Sequence, residues 1–502
     1  MARPTMADTE SGPRDPERRF TTVDPRTGET IGSHPIHDAA DVRHRVAAAR
    51  PAATWWAGLG FDGRQQRLDA WRRLIARRVE EAVALITSET GKPADDARLE
   101  LVLVIDHLHW AAANAERVLH RRKVRPGLLM FNQTATIEYQ PVGVVGVIGP
   151  WNYPVYTPMG SIAYALAAGN AVVFKPSEYT PGVGTWLADT FAEIVPEQPV
   201  LQVVTGPGQT GAALCRSGVD KLAFTGSAAT GREVMAACAQ TLTPVLLECG
   251  GKDALIVAED ADVAQAAEAA VWGAMANAGQ TCAGVERVYV VDSLADEFVA
   301  KVTAKARPLR TGSHSGAHIG PMTTPSQVDV VRGHIADALR RGGTAVVGGL
   351  ESVRAPYVGP VVLVDVPEDS TAMTDETFGP TVVINRVRDA DEAVERANDS
   401  RYALGAAVFS RARGPELAAR LRAGMVSVNS VLSYAAVPAL PFGGSGDSGF
   451  GRIHGEDGLR EFTRPQSVTR QRFRAPLRPM SFSRGSGTVR RLVHLVRLRY
   501  GR

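Results

Sequence analysis

The chain has 502 residues, 44% of them hydrophobic and 22% charged, a length and mix that bury cores in two or three domains and exclude a disordered or fibrous protein. The net charge of +3 hides an asymmetry: residues 470–502 hold ten arginines and no acid, so 46 of the 56 basic groups face 53 acids in residues 1–469, a net −7 that excludes a nucleic-acid-binding main surface. The four cysteines (Cys215, Cys238, Cys249, Cys282) are too few for a disulfide framework and show no metal-ligand spacing, so a reducing, cytoplasmic location and no metal site are expected.

In chain order, residues 1–22 are charged, lack the apolar core of a signal peptide and read as a solvated arm. From about 38 to 120, apolar positions recur at threes and fours among arginines, which predicts helices. Residues 139–174 carry no charge, but four prolines and five glycines break the run and exclude a single membrane-spanning helix. Short β-branched runs then predict buried strands at 144–149, 171–174, 200–204, 222–224 and 245–247, separated by helix-length segments. A second series follows: strands at 254–257, 288–291, 361–363 and 381–384, with helices over 262–278 and near 294–307. The alternation predicts two doubly wound α/β domains, whose ligands sit at the carboxyl ends of strands and in the cleft near LLECGGKD (246–253).

A literal G-x-G-x-x-G at 444–449 neither follows a buried strand nor opens a helix, so it reads as a tight glycine loop rather than a dinucleotide fingerprint. The strand ends carry more. AVVFKPSE delivers Lys175, Ser177 and Glu178 to one carboxyl end, as a surface salt bridge or as ribose ligands. LAFTGSAATG delivers Gly226 and Ser227 to the next, as a helix cap or a phosphate site; both together favour a dinucleotide. Cys282, in NAGQTCAG, is a small buried hydrophobe or a nucleophile in a loop open to a carbonyl. Glu248 ends a buried strand before two glycines, as a salt-bridge partner or a general base. Asn152, in IGPWNYP, is a turn residue or an oxyanion donor.

Seven fragments in order, GVIGPWNYP, AGNAVVFKPSE, FTGS, LECGGKD, GQTCAG, ETFGP and PFGGSGDSGFGR, make the chain from about 140 to 465 resemble the aldehyde dehydrogenase superfamily. The resemblance implies a cofactor-binding domain over 23–247 with an oligomerisation hairpin near 125–142, and a catalytic domain over 248–430. A return segment with an oligomerisation strand would span 431–473 and an Arg-rich tail 474–502. It implies oxidation of an aldehyde to the acid through a thiohemiacetal and thioester on Cys282, with Asn152 holding the oxyanion and Glu248 activating water. It assigns Lys175, Ser177 and Glu178 to the adenosine ribose, Gly226 and Ser227 to the pyrophosphate, Pro150 and Trp151 to the path beside it, and Glu376 and Phe378 to the nicotinamide end. Glu178 favours NAD, with NADP the alternative. A coenzyme A-acylating enzyme and a catalytically silent scaffold on the same fold are the competing functions.

Cys249 stands where the family usually has leucine, as packing or as an oxidative partner of Cys282. The stretch after 428 resembles the class 3 and fatty aldehyde branch, which implies an apolar or aromatic aldehyde against Tyr153, Tyr156 and Phe442. A homodimer or homotetramer is implied by strands near 132–142 and 462–473. Residues 488–500 intersperse leucine and valine with arginine, a short amphipathic helix that either meets the inner face of an anionic membrane or docks on the acidic body.

Overall fold

The computed structural model describes residues 18–475 and 480–501. By contact it divides into two compact units, residues 1–118 with 141–462, and residues 119–140 with 463–502.

The larger unit holds two open sheets. The first has six strands: Gly449–Phe450, Val245–Glu248, Lys221–Thr225, Val144–Ile148, Ala171–Lys175 and Leu201–Val203, in that spatial order. All but Gly449–Phe450 run parallel. Val144–Ile148 and Ala171–Lys175 are buried at every position, as expected of parallel strands covered by helices on both faces. Chain order reverses beside Val144–Ile148: later strands add on one side through Ala171–Lys175 and on the other through Lys221–Thr225, which puts the topological switch point at the ends of these strands. Asn170 fixes the register there, accepting from the Gly143 backbone and donating to the carbonyls of Ala165 and Phe462, all at 2.9 Å.

The second sheet has seven strands in the order Thr344–Val347, Val361–Val364, Thr381–Val387, Val285–Val291, Asp253–Val257, Gly405–Phe409 and Met425–Val428. Only Thr344–Val347 is antiparallel. Helix Val263–Met275 crosses between Asp253–Val257 and Val285–Val291 and packs its Ala-rich face on the sheet. Four helices, Ala39–Gly58, Gly60–Arg77, Val79–Thr90 and Ala94–Leu119, fill the segment expected to be helical; the first opens with a capping box between Asp38 and Asp41.

One expectation is corrected at the N-terminus. Arg19–Val23 pairs antiparallel with Thr30–Pro35, so residues 19–22 of the expected arm are a strand. The alternation of Phe20 and Thr22 with outward-facing neighbours, plus a turn at Gly28, outweighs the flanking charge. The rest of the arm, 1–17, lies outside the described residues.

The smaller unit is a three-stranded sheet of Thr463–Gln471, Gln133–Pro141 and Arg122–Val124, in that order, together with the helix Thr488–Tyr500. Among the described residues no helix is long and apolar enough to cross a membrane.

Candidate active site

Cys282 sits in the loop between helix Val263–Met275 and strand Val285–Val291, reached through a one-turn 3₁₀ segment at Ala276–Gly279. Asn277 and Ala278 there adopt left-handed backbone with φ of 52° and 56°, a strained conformation for side-chain-bearing residues. The loop is held from three sides. Gln280 accepts from the Thr323 backbone at 2.9 Å and donates to the Asn277 carbonyl at 3.1 Å, and Gly251 brings its Cα against the Cys282 carbonyl, where a Cβ would lie 2.5 Å away. Desolvation, followed by the nearby carboxyls of Glu376, Asp253 and Glu248, pushes the Cys282 thiol well above its ordinary range.

Asn152 is anchored by both its amide and its backbone. Its side chain donates to the Gln280 carbonyl at 2.9 Å. Its carbonyl accepts from the Lys92 ammonium at 2.7 Å and from the Asn277 amide at 3.0 Å. Lys92 is buried, paired with Glu100 at 2.9 Å and placed 4.3 Å from the centre of the Tyr153 ring. The other Glu100 oxygen accepts from the backbones of Val155 and Tyr156, capping the helix Tyr156–Ala168. Lys92 and Glu100 were missed in the sequence, although GKP after a helix places a lysine in a buried turn.

Glu248 ends its strand with 3% exposure, and among the described residues neither carboxyl oxygen has a hydrogen-bond partner. Burial raises its pKa well above the carboxylate range, against an opposing pull from Arg452. The glycine loop expected at 444–449 packs on this residue: Gly449–Phe450 pairs with Leu247–Glu248, and Gly443 (φ 149°) leaves room for the carboxyl, since a Cβ would lie 2.6 Å from its Oε1. Cys249 is buried beside Gly231, its thiol pushed up to about 12 by burial.

Two cavities meet here. One, of 290 Å³, is bordered by Pro150, Trp151, Asn152, Gly226 and Ser227 on one side and by Glu376 and Phe378 on the other. The second, of 260 Å³, includes Tyr153, Tyr156 and Phe442 in its walls. Cys282, Glu248, Cys249 and Thr225 border both. The structure thus brings Cys282, Glu248 and Asn152 to the wall of one cavity.

The first cavity is bordered by a helix N-terminus and by closely packed glycines. Ser227 caps helix Ala228–Ala239 by accepting from the Thr230 backbone at 3.2 Å, and that helix N-terminus faces the cavity, a site for phosphate. At Gly226 a Cβ would lie 2.6 Å from the Phe224 ring, and at Gly250 only 2.1 Å from a Glu376 oxygen, so a side chain at either place would displace the ring or the carboxyl. The Gly251 backbone donates to Glu376 at 3.1 Å, and burial pushes the Glu376 pKa up to about 8. The Trp151 and Phe378 rings meet edge to face at 5.6 Å. Phe378 is held at φ 50° because Glu286 accepts from the Thr377 and Phe378 backbones at 2.8 and 2.9 Å while forming a buried ion pair with Lys252. This pair also went unread; its signal was the charged VERV at the start of an apolar strand. Lys175, Ser177 and Glu178 stand at the carboxyl end of Ala171–Lys175 beside the switch point but outside the cavity wall. Lys175 is buried and donates to Glu178 at 3.2 Å; its pKa is lowered by desolvation, which the Glu178 charge partly offsets. Ser177 accepts from the Tyr179 backbone at 3.3 Å.

Comparison with known proteins accounts for this architecture. The model of the aldehyde dehydrogenase family matches residues 13–468. The chain is 38% identical to a 4,4'-diapolycopene aldehyde oxidase of Methylomonas over 92% of its own length and 88% of the relative's. It is 36% identical, over 89% and 87%, to a Mycobacterium tuberculosis protein provisionally named an NADP(+) succinate-semialdehyde dehydrogenase. The crystal structure of PnpE, a Pseudomonas protein, in complex with nicotinamide adenine dinucleotide superposes with a TM-score of 0.86 at 32% identity, covering 92% of this chain and 96% of PnpE. The chain therefore belongs to the aldehyde dehydrogenase family, whose reaction is the NAD(P)-dependent oxidation of an aldehyde to its acid.

Proposed function

We propose that this chain performs the family reaction with Cys282 as nucleophile, Asn152 as oxyanion donor and Glu248 as general base. The observation that carries the reading is the meeting of the two cavities at Cys282 and Glu248, which lets an aldehyde and a dinucleotide reach one sulfur from two adjoining cavities. Attack by the Cys282 thiolate on the carbonyl carbon forms the C–S bond and places negative charge on the aldehyde oxygen. The Asn152 amide has two N–H donors; Gln280 takes one and fixes the plane, which leaves the other for the oxyanion together with the Cys282 backbone N–H. The chemistry a bound nicotinamide supplies is acceptance of the hydride, which leaves a thioester on Cys282. Glu248 then takes a proton from water as the water attacks the thioester, the C–S bond breaks, and the acid leaves as the Cys282 thiolate is restored. The absence of hydrogen bonds on Glu248 suits this role, because both oxygens are free to receive that water.

For the cofactor, Ser227 and the helix behind it would take the pyrophosphate, Pro150 and Trp151 the adjoining path, and Glu376 and Phe378 the nicotinamide ribose and ring. Lys175, Ser177 and Glu178 would take the adenosine ribose, and the Glu178 carboxylate favours NAD by repelling a 2′-phosphate. The domain limits that go with these roles are 23–247 for the cofactor and 248–430 for catalysis, followed by a return segment over 431–473 and the tail from 474. The nine-residue edge strand Thr463–Gln471, open on one side of its sheet, supports assembly as a dimer or tetramer, which light scattering reads directly. Helix Thr488–Tyr500 carries Val489, Leu492, Val493, Val496 and Tyr500 on one stripe flanked by Arg490, Arg497 and Arg499. That pattern supports a cytoplasmic protein peripheral to an anionic inner membrane face, to be tested by sedimentation with anionic and neutral vesicles.

The deciding experiment gives purified protein NAD or NADP and a panel of aldehydes. Reduced nicotinamide is expected from wild type and none from Cys282→Ala. Turnover surviving Cys282→Ala would refute the mechanism, and a requirement for added coenzyme A would replace hydrolysis with acyl transfer.

A further inference from the structure

Residues 376–379 are wedged between the Cys282 loop and helix Pro325–Arg340. On the loop side, Gly279 lies so close that a Cβ there would come within 2.0 Å of the Gly379 carbonyl oxygen. On the helix side stand Gln327, Val331 and His334, spaced four and three apart and so on one face. A Cβ on Gly379 would lie 2.4 Å from Val331, and Gln327 donates to the Thr377 carbonyl at 2.7 Å. Thr377 is held at its other polar atoms too. Its backbone N–H donates to Glu286, and its hydroxyl oxygen accepts from the Lys252 ammonium at 3.1 Å and lies 3.0 Å from Nδ1 of the half-buried His334. The ammonium turns the hydroxyl hydrogen away from itself, toward Nδ1, so His334 accepts from Thr377 and carries its own proton on Nε2.

We propose that His334 is a positioning residue for the nicotinamide end of the cofactor: by accepting from Thr377 it keeps the flanking Glu376 and Phe378 turned into the 290 Å³ cavity, and its protonation loosens that hold. The inference rests on the proposed assignment of Glu376 and Phe378 to the nicotinamide ribose and ring. A proton on Nδ1 sets a second donor against an oxygen that Lys252 already serves and leaves the hydroxyl hydrogen without its acceptor. It also brings a second cation up to the Lys252 ammonium. The charges facing His334 divide in sign. Lys252 opposes the proton, while Glu286, Asp375 and Asp337 favour it, each of them already paired: Glu286 with Lys252, Asp375 with Arg401, Asp337 with Arg340 and Arg341. Desolvation first and Lys252 second lower the His334 pKa from 6.5, so the neutral, accepting ring prevails at neutral pH and is lost as acid is added.

The test is calorimetric titration with NAD, at steps from about pH 7 to 5, of wild type, His334→Asn and His334→Leu. Asparagine offers Oδ1 in place of Nδ1 and takes up no proton there, whereas leucine offers no acceptor at all. In wild type the Kd for NAD is expected to rise about fivefold across this range, the loss of one hydrogen bond. His334→Asn is expected to rescue the wild-type Kd at the upper end and to lack that rise. His334→Leu is expected to bind about fivefold more weakly at the upper end and to lack the rise as well. Glu376, whose pKa burial pushes up to about 8, titrates above the range and in all three proteins alike, so the difference in slope isolates His334. A His334→Asn slope equal to that of wild type would overturn the inference, and this comparison decides alone where the leucine protein does not fold. NAD binding by folded His334→Leu as tight as wild type at the upper end would overturn it too. Failure of NAD to bind any of the three proteins would instead overturn the cofactor reading on which the inference rests.

Discussion

Behind the aldehyde cavity lies a pair of buried histidines whose titration should govern acid stability. His107 and His454 are 2% and 1% exposed, with ring centroids 4.0 Å apart. Nε2 of His107 lies 3.0 Å from the Ala435 carbonyl, so it carries the proton, and Nδ1 has no partner; neither nitrogen of His454 has one. The rings of Tyr156, Tyr164 and Phe442 surround His454, and among the described residues Asp106 is the charged side chain acting on His107, a minor influence. Desolvation lowers His107 to about 4 and His454 well below its ordinary 6.5. Both rings are therefore neutral in the fold, while the unfolded chain protonates them near 6.5. Their contribution to stability is complete above that pH and is lost as pH falls toward the folded values. For His107 alone, 2.5 pH units at 1.36 kcal/mol each make about 3 kcal/mol. With a melting entropy of about 2.1 cal/mol/K per residue over 502 residues, this corresponds to roughly 3 °C in the midpoint. Thermal unfolding of wild type, His107→Phe and His454→Phe at half-unit steps from pH 8 to 4.5 measures it. Comparing slopes against pH removes the constant cost of repacking. Wild type should lose stability more steeply than either variant below pH 6.5, and parallel curves over that range would refute the reasoning.

Four further outcomes follow from the site. Glu248→Gln should lower steady-state turnover by about 10²–10⁴-fold yet preserve the pre-steady-state burst of reduced nicotinamide, since thioester formation does not need the base. Because burial raises the Cys282 thiol, which must be deprotonated to attack, wild-type kcat/KM should climb as pH increases from 6 to 9, and because burial also raises Glu248, which must be deprotonated to activate water, kcat should climb over the same range; profiles falling over that range would contradict the roles. Gly250→Ala places a Cβ where the Glu376 carboxyl now lies, 2.1 Å from its oxygen, so the carboxyl must swing aside, and should raise KM for NAD at least tenfold while leaving aldehyde KM nearly unchanged, read from initial rates at varied cofactor. Glu286→Gln leaves Lys252 buried without its counter-charge and should cost about 3–5 kcal/mol, seen as a lower denaturant midpoint accompanied by weaker cofactor binding.

What the sequence disclosed and what it withheld divide along a physical line. Cys282, Glu248, Asn152, Lys175 and Ser227 were legible because each stands at or just past the end of a buried strand or helix, and such ends are marked locally by a β-branched run that stops at Gly, Pro or Asn. Strands Gly405–Phe409 and Met425–Val428 were not, since the Ala- and Gly-rich GAAVF and the four-residue MVSV carry too little β-branched character to be separated from loop. The buried ion pairs were hidden for another reason. Lys92 and Glu100 lie eight positions apart, Lys252 and Glu286 thirty-four, and the local cues, GKP after a helix and a charged VERV opening an apolar strand, mark a charge beside an apolar element without naming the partner that waits across the fold. Yet these pairs set the geometry that the legible residues need. Lys92 holds the Asn152 carbonyl, Glu100 caps the helix that begins beside it, and Glu286 keeps Phe378 in its left-handed turn against Trp151. Residues that would meet the substrate or cofactor are thus announced by local punctuation, whereas those that hold them in place are fixed only by tertiary contact. Removing a holding charge leaves an uncompensated ion beneath the site, so Glu286→Gln should injure stability and binding together, whereas Glu248→Gln, with no partner to orphan, should injure chemistry alone.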